Sequence, residues 1–311
     1  MNSGKEIVAK NGGINMGKAE LVYDAKAILA EGPVWDDREN LLYWIDIHGK
    51  VIHIYNPETT EDTVIETASK VGTITLTEDG RLAAAMEDGF YLIDTASGER
   101  SFIADPEKDV PDNRFNDGKA DPAGRFIAGT MHAEGQGETG ALYSLDGDGQ
   151  FEQLISGVGI SNGLAWNEAG TIFYYIDTPT QQVAAYDYDL ESGSISGRKT
   201  VIEVPEEDGH PDGMTIDAEG MLWIAHYNGS RVSRWNPETG EKLEEIELPV
   251  SQVTCCTFGG PDLDELYITT GRENLEGGQL AEQPLAGAIF KVKTNTKGRK
   301  TFRYKYSREN R

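Results

Sequence analysis

The stretch EGPVWDDRENLLYWIDIHGKVIHIYNPETTED, residues 31–62, decides the fold. A glycine opens a short apolar run, the aromatic run LLYWIDI (41–47) follows a polar turn, and KVIHIY (50–55) leads into the Asn-Pro-Glu-Thr turn before a further strand. Short runs rich in β-branched and aromatic residues, bounded by Gly, Asp, Asn and Pro, read as strands joined by antiparallel hairpins. The same order returns along the chain. Its glycine phase recurs in VGTITL (71–76), NDGKAD (116–121), NGLAW (162–166), DGMTID (212–217) and CCTFGG (255–260). Its later strands recur in RLAAAME (81–87), FYLID (90–94), RFIAGT (125–130), ALYSL (141–145), TIFYYID (171–177), VAAYDYD (183–189), MLWIAHY (221–227) and ELYITT (265–270). Gly32, Gly72, Gly118, Gly163 and Gly213 lie 40, 46, 45 and 50 residues apart. A period of roughly 40 to 50 residues carrying four strands marks a propeller blade. Six units predict an all-β, six-bladed β-propeller over residues 18–311 as one domain. AELVYD (19–24) and FKVKTN (290–295) are expected to close the ring by pairing in one blade.

Residues 1–17 carry no periodicity and read as a flexible N-terminal arm or an expression remnant. The segment 272–286, RENLEGGQLAEQPLA, is the longest gap between clear strands and reads as surface decoration or part of a site entrance. No window holds a helical period for ten residues between good caps.

Composition narrows the function. The chain has 311 residues, 53 of them Asp or Glu against 28 Lys or Arg, for a net charge of −25. Such a field repels polyanions, which argues against nucleic acid and against an anionic membrane surface as partners. Glycine supplies 36 residues, well above its usual share of about 7%, as many tight turns require. The two cysteines, Cys255 and Cys256, are neighbours, an arrangement that does not build a disulfide scaffold. With no long apolar span and no apolar signal core, the chain reads as soluble and cytoplasmic, and as a monomer or weak homo-oligomer.

In a propeller the first strand of each blade lines the axis, so the residues beside the repeated glycines converge. Glu31, Val71, Asn116 with Asp117, Asn162, Asp212 and the apolar Cys256–Phe258 region stand around that ring. Carboxylates and amides gathered in an interior are costly unless a cation balances them. A hard divalent ion meets that need; the oxygen donors favour calcium, magnesium or manganese, and zinc is compatible in an open catalytic site. A second cluster in 111–135 holds Arg114, Asn116, Lys119, His132 and Glu134, with Arg114 and Asn116 on one strand face around Phe115. His132 has no second histidine at metal spacing and reads as a strand cap. Nucleophile triads, a G-x-S-x-G elbow and phosphate-cradling glycine loops are missing.

The motifs AEGPVW (30–35), NRFNDGKADPAGRFIAGTM (113–131), ISNGLAW (160–166), FYYIDT (173–178), AYDYDL (185–190), PDGMTIDAEGMLWIAHYNGSRV (211–232) and CCTFGG closely resemble the regucalcin (senescence marker protein)/gluconolactonase/luciferin-regenerating family. The resemblance covers about residues 19–295. It implies a six-bladed propeller with a central metal site holding one divalent ion, Ca2+, Zn2+, Mg2+ or Mn2+. By motif, Glu31, Asn162 and Asp212 correspond to the metal ligands, Arg114 and Asn116 to the residues that hold sugar hydroxyls, and Glu134 to a further substrate-binding acid. The segment after G-T-M departs from the animal regucalcin pattern, with His132 in a shorter loop.

The resemblance further implies metal-dependent hydrolysis of a small sugar lactone, gluconolactone-like, to its aldonic acid. Asp212 is then the catalytic general base, taking a proton from water acidified by the metal. Two other readings compete: an organophosphatase or aryl esterase on the same scaffold, and a non-catalytic calcium-binding propeller.

Overall fold

The alternation of β-rich runs and turn residues folds into six four-stranded antiparallel sheets, each a simple meander. The computed structural model describes residues 18–307; the arm expected over 1–17 lies outside the described residues. Blade 1 comprises Ala30–Asp36, Leu41–Asp46, Val51–Asn56 and Glu61–Glu66. Blade 2 comprises Val71–Leu76, Leu82–Met86, Gly89–Ile93 and Arg100–Ala104. Blade 3 follows with Asn113–Ala120, Phe126–His132, Gly140–Leu145 and Phe151–Val158. Blade 4 holds Ser161–Trp166, Ile172–Asp177, Gln182–Tyr188 and Ile195–Glu203. Blade 5 holds His210–Ile216, Leu222–Tyr227, Arg231–Asn236 and Glu241–Glu247. Blade 6 takes Val253–Gly259, Glu265–Thr270 and Ile289–Lys293 from the end of the chain, and Glu20–Tyr23 from its start as outermost strand. The ring thus closes within one sheet, as AELVYD and FKVKTN require, and the six-bladed propeller expected from the repeat is the fold.

The core lies in six seams between neighbouring blades. Ile45, Ile47 and Ile52 of blade 1 pack on Ile74, Leu82 and Ile93 of blade 2, and Trp223 and Val232 of blade 5 pack on Phe258, Leu266 and Phe290 of blade 6. Trp35, Leu42 and Trp44 of blade 1 meet Tyr267 and Ile289 of blade 6. Inner and middle strands are therefore covered on both faces. The outermost strand Ile195–Glu203 remains largely exposed. Emptying a seam, as Trp44→Ala would, costs about 3–5 kcal/mol. Cys255 and Cys256 are free thiols buried in this packing.

Every first strand breaks register at the same place. The shifts fall between Glu31 and Val34, Val71 and Thr73, Phe115 and Gly118, Asn162 and Leu164, Pro211 and Met214, and Val253 and Cys255. A bulge re-aims the side chain beside it, so in the first five blades the repeated glycine is where the strand turns a residue toward the axis. At Gly32 the backbone sits at φ +53, and at Gly72 a Cβ would lie 2.3 Å from Phe115 O of the next blade. The sixth blade differs from expectation: its bulge falls at Thr254, and the glycines of CCTFGG lie at the far end of the strand.

Past blade 6 the chain does not stop at the ring. Residues 294–307 run as a strap over the far end of the axis, bonding in turn to blades 6, 5, 1, 2 and 3. Gly298 N donates to Leu263 O (2.7 Å), Ala218 N to Lys297 O (2.7 Å), Thr301 Oγ1 to Trp35 O (3.0 Å), Tyr304 N to Leu76 O (2.8 Å) and Lys305 N to Gly124 O (2.9 Å). Arg303 closes a buried ion pair on Asp36 at 2.6 Å, and Tyr304 is fully buried. The segment 272–286 contains the short helix Gly277–Glu282; among the described residues no helix is long and apolar enough to cross a membrane.

Candidate active site in the axial channel

Three carboxylates reach the axis in the same way. Glu31, Asp117 and Asp212 each precede a glycine, and each accepts a hydrogen bond from that glycine's backbone N–H: 2.9 Å for Glu31 and 2.7 Å for Asp117. All three are buried. Burial, with Asp117 nearby, pushes the Glu31 carboxyl up to about 8. Burial, then Glu31 and Asp117, raises Asp212 well above the usual carboxylate range. Asp117 is raised by burial, against the pull of Lys119, and its Oδ2 has no partner.

Two amides complete the ring. Asn116 Nδ2 donates to Ser161 O (2.8 Å) and Asn162 Oδ1 (3.2 Å). Asn162 Nδ2 donates to Thr178 Oγ1 (2.8 Å), which donates to Pro211 O (2.8 Å). Arg114 lies beside Asn116, as alternation around Phe115 requires: its Nη1 donates to Asn116 Oδ1 and Phe115 O, both at 2.9 Å. The guanidinium is buried, its Nε is unpartnered, and burial lowers its pKa against the attraction of Glu273, Glu31, Glu87 and Asp212.

The structure thus brings together Glu31, Asn162, Asp212, Arg114 and Asn116. Glu134 lies on the exposed turn after Phe126–His132, the second strand of blade 3, where its carboxylate accepts from Gln136 Nε2 (3.2 Å). His132 caps that turn, its Nδ1 accepting from Glu134 N at 3.2 Å. Lys119 faces the other half of the channel and donates to Met214 O. There, beyond the carboxylates, a cavity of about 90 Å³ is lined by Asp117, Lys119, Cys255 and the strap residues Arg299–Phe302. Sequence reasoning missed Glu273, His48 and Tyr227, which cluster at the carboxylate end. They sit on loops and strand ends with no local motif, although Glu273 belongs to the segment 272–286 singled out as a possible entrance.

Among the described residues no group of three or more His, Cys, Asp and Glu is gathered tightly enough to hold an ion on its own. The central metal site expected from the sequence is not formed by such a group; the converging donors are acids and an amide. Their chemistry suits a hard divalent ion. Ionised together, Glu31, Asp117 and Asp212 would outnumber the cations Lys119 and Arg114, and a bound divalent ion would balance them in place of the protons that burial favours; Asp117 Oδ2 has no other partner.

A six-bladed propeller whose bulged inner strands deliver buried oxygen donors to one end of the axis defines the class of protein. The chain belongs to the SMP-30/Gluconolactonase/LRE-like family, whose model matches residues 29–272. It is 41% identical over 280 residues to the sugar lactone lactonase YvrE of Bacillus subtilis (strain 168), covering 90% of this chain and 96% of that protein. It is likewise 41% identical over 280 residues to regucalcin of Oryctolagus cuniculus, covering 88% of this chain and 94% of the relative. The solved structure of a calcium-binding protein, regucalcin from Agrobacterium tumefaciens, superimposes with a TM-score of 0.89 at 28% identity, covering 93% and 97% of the two chains.

Proposed function

We propose that this protein hydrolyses a sugar lactone to its aldonic acid with the help of one divalent metal ion. The observation that carries the reading is the juxtaposition of buried Glu31, Asn162 and Asp212 with Arg114 and Asn116, hydroxyl-binding groups set beside hard oxygen donors. The name of the Bacillus subtilis relative, a sugar lactone lactonase, supports the substrate class, and the calcium-binding regucalcin supports a divalent ion.

Glu31, Asn162 and Asp212 would hold the ion. When bound, a divalent ion polarises an ester carbonyl and acidifies a water. With the ion's charge beside it keeping its carboxyl ionised, Asp212 would take a proton from the water as the water's oxygen bonds to the lactone carbonyl carbon. The ring C–O bond then breaks, Asp212 returns the proton to the departing ring oxygen, and the aldonic acid ionises. Asn116 and the remaining donors of Arg114 orient the polyhydroxylated ring so that the carbonyl carbon faces the water. The buried, free Cys255 and Cys256 are consistent with work in the reducing cytoplasm.

A proton-release assay across aldonolactones, an aryl acetate and a phosphotriester tests the assignment. The reading requires the aldonolactones to be the best substrates. Preference for the aryl ester or the phosphotriester would replace it with the other hydrolase activities, and turnover of none would leave a binding protein.

A further inference from the structure

Glu273 opens the connection between the second and third strands of blade 6, and its backbone is fastened on two sides. Arg272 N donates to Ile28 O (3.0 Å), and Gln252 Nε2 donates to Glu273 O (2.6 Å). Its carboxylate is gripped by a residue from a different blade: His48 Nε2 lies 3.1 Å from Glu273 Oε1. His48 sits in the turn between Leu41–Asp46 and Val51–Asn56. Both side chains are partly exposed, 23% for His48 and 30% for Glu273, so the pair stands at a mouth rather than in the core.

Topology fixes which mouth. In each meander the first strand begins at the end where the second strand finishes and the third starts. Glu31, Arg114, Asn162 and Asp212 all lie near the beginnings of first strands; His48, Tyr227 and Glu273 follow or end second strands. All therefore occupy one end of the propeller, the end opposite the C-terminal strap. Among the acids around the Arg114 guanidinium, Glu273 exerts the strongest pull, ahead of Glu31, Glu87 and Asp212. The phenol of Tyr227 is raised by burial and then by Glu273 and Asp212, which places it among the same groups. His48, with Arg114 and Lys70 adding to it, holds the Glu273 carboxyl below its usual range against the effect of burial. The group at the mouth is thus an anion with one oxygen engaged by His48.

We propose that Glu273 is a specificity residue of this site, accepting hydrogen bonds from the hydroxyls of a neutral polyhydroxylated ring and disfavouring a ring that bears its own carboxylate. The proposal rests on the lactonase reading. An ionised carboxylate only accepts, so a neutral polyol satisfies it while a second carboxylate meets like charge. The reaction itself converts a neutral lactone into an anionic acid, so the same residue favours the release of product over its retention. His48 acts through Glu273 and is a positioning residue.

The test compares wild type, Glu273→Gln and His48→Ala on three lactones: an aldonolactone, the aldarolactone that carries a free carboxylate on the same ring, and unsubstituted valerolactone. Wild type should favour the aldonolactone. Glu273→Gln should shrink the ratio of kcat/KM values between the two sugar lactones about tenfold or more, mainly through KM, and leave valerolactone unchanged. His48→Ala should move the same ratio in the same direction by less. Melting curves establish that the variants fold. An unchanged ratio, or an equal loss on all three lactones, overturns the proposal. If wild type opens no lactone, the lactonase reading falls by itself, and calorimetry with a neutral alditol and the matching aldonate still decides Glu273. A gain of about tenfold in aldonate affinity in Glu273→Gln supports it, and no change in the preference between the two ligands overturns it.

Discussion

Asn116 donates from Nδ2 to Asn162 Oδ1 across 3.2 Å, joining blade 3 to blade 4 at the axis. The bond links a residue proposed to hold sugar hydroxyls to one proposed to hold the ion, and Thr178 fixes the other side of the Asn162 amide. Groups behind a ligand that set its orientation are commonly worth 10–100-fold in metal affinity. Thr178→Val removes the acceptor for Asn162 Nδ2 and should weaken metal binding by about that factor while leaving KM at saturating metal unchanged. Asn116→Ala should weaken metal binding and raise KM as well. Isothermal titration with calcium, paired with lactone kinetics, separates the two; identical behaviour of both variants would break the link.

Asp212→Asn keeps an oxygen near the ion but removes the charge and the ability to take a proton. If Asp212 is base as well as ligand, kcat falls about a hundredfold or more at saturating metal, since general bases typically contribute 10²–10⁴. Asn162→Asp is the contrast, tightening metal binding with a smaller loss of rate. Recovery of wild-type kcat by Asp212→Asn once metal saturates would make Asp212 a ligand only.

The inner half of the blades was legible in the sequence because their strands are buried on both faces and because four of them set a glycine beside an acid or amide at the bulge. Glu31-Gly32, Asp117-Gly118, Asn162-Gly163 and Asp212-Gly213 all announce themselves this way. Outer strands such as Ile195–Glu203 do not, because an exposed edge imposes no apolar period. The strap GRKTFRYKYS (298–307) left no signal in the sequence, since much of its attachment is backbone hydrogen bonding to distant blades. Glu273 and His48 were hidden for a related reason: they meet only because blades 1 and 6 are neighbours in the closed ring. Glu134 is a motif position whose side chain lies on an exposed turn, bonded to Gln136.

The strap is a fastening for the ring rather than part of the chemistry. Arg303→Ala leaves the buried Asp36 carboxylate without its cation, a loss of roughly 3 kcal/mol or more, while kcat and KM stay unchanged because the substitution lies at the far end of the axis. Urea unfolding and lactone kinetics on one preparation check both halves. A change in KM without a change in stability would reverse the assignment.

His226 gives the fold a pH dependence of its own. Fully buried in blade 5 with Nε2 2.5 Å from Ser233 Oγ, it is depressed by burial to about 4. The unfolded chain takes up this proton near pH 6.5, before the folded chain does, so its contribution is intact above pH 6.5 and lost as pH falls toward 4. The loss is about 3 kcal/mol over that window. His226→Gln should be less stable than wild type at pH 7, and the gap should close on acidification. A gap that stays constant from pH 7 to 4.5 would show that His226 does not titrate as described.

The central claim, that a divalent ion held at the axis is needed for lactone opening, is met most directly by one titration. The protein is stripped with chelator, its residual metal is measured, and proton release from an aldonolactone is followed as calcium, manganese, magnesium or zinc is returned. The account predicts a folded, inactive apoprotein whose activity rises with at least one of these ions and levels off at one ion per chain. Full hydrolysis by protein verified as metal-free would contradict it.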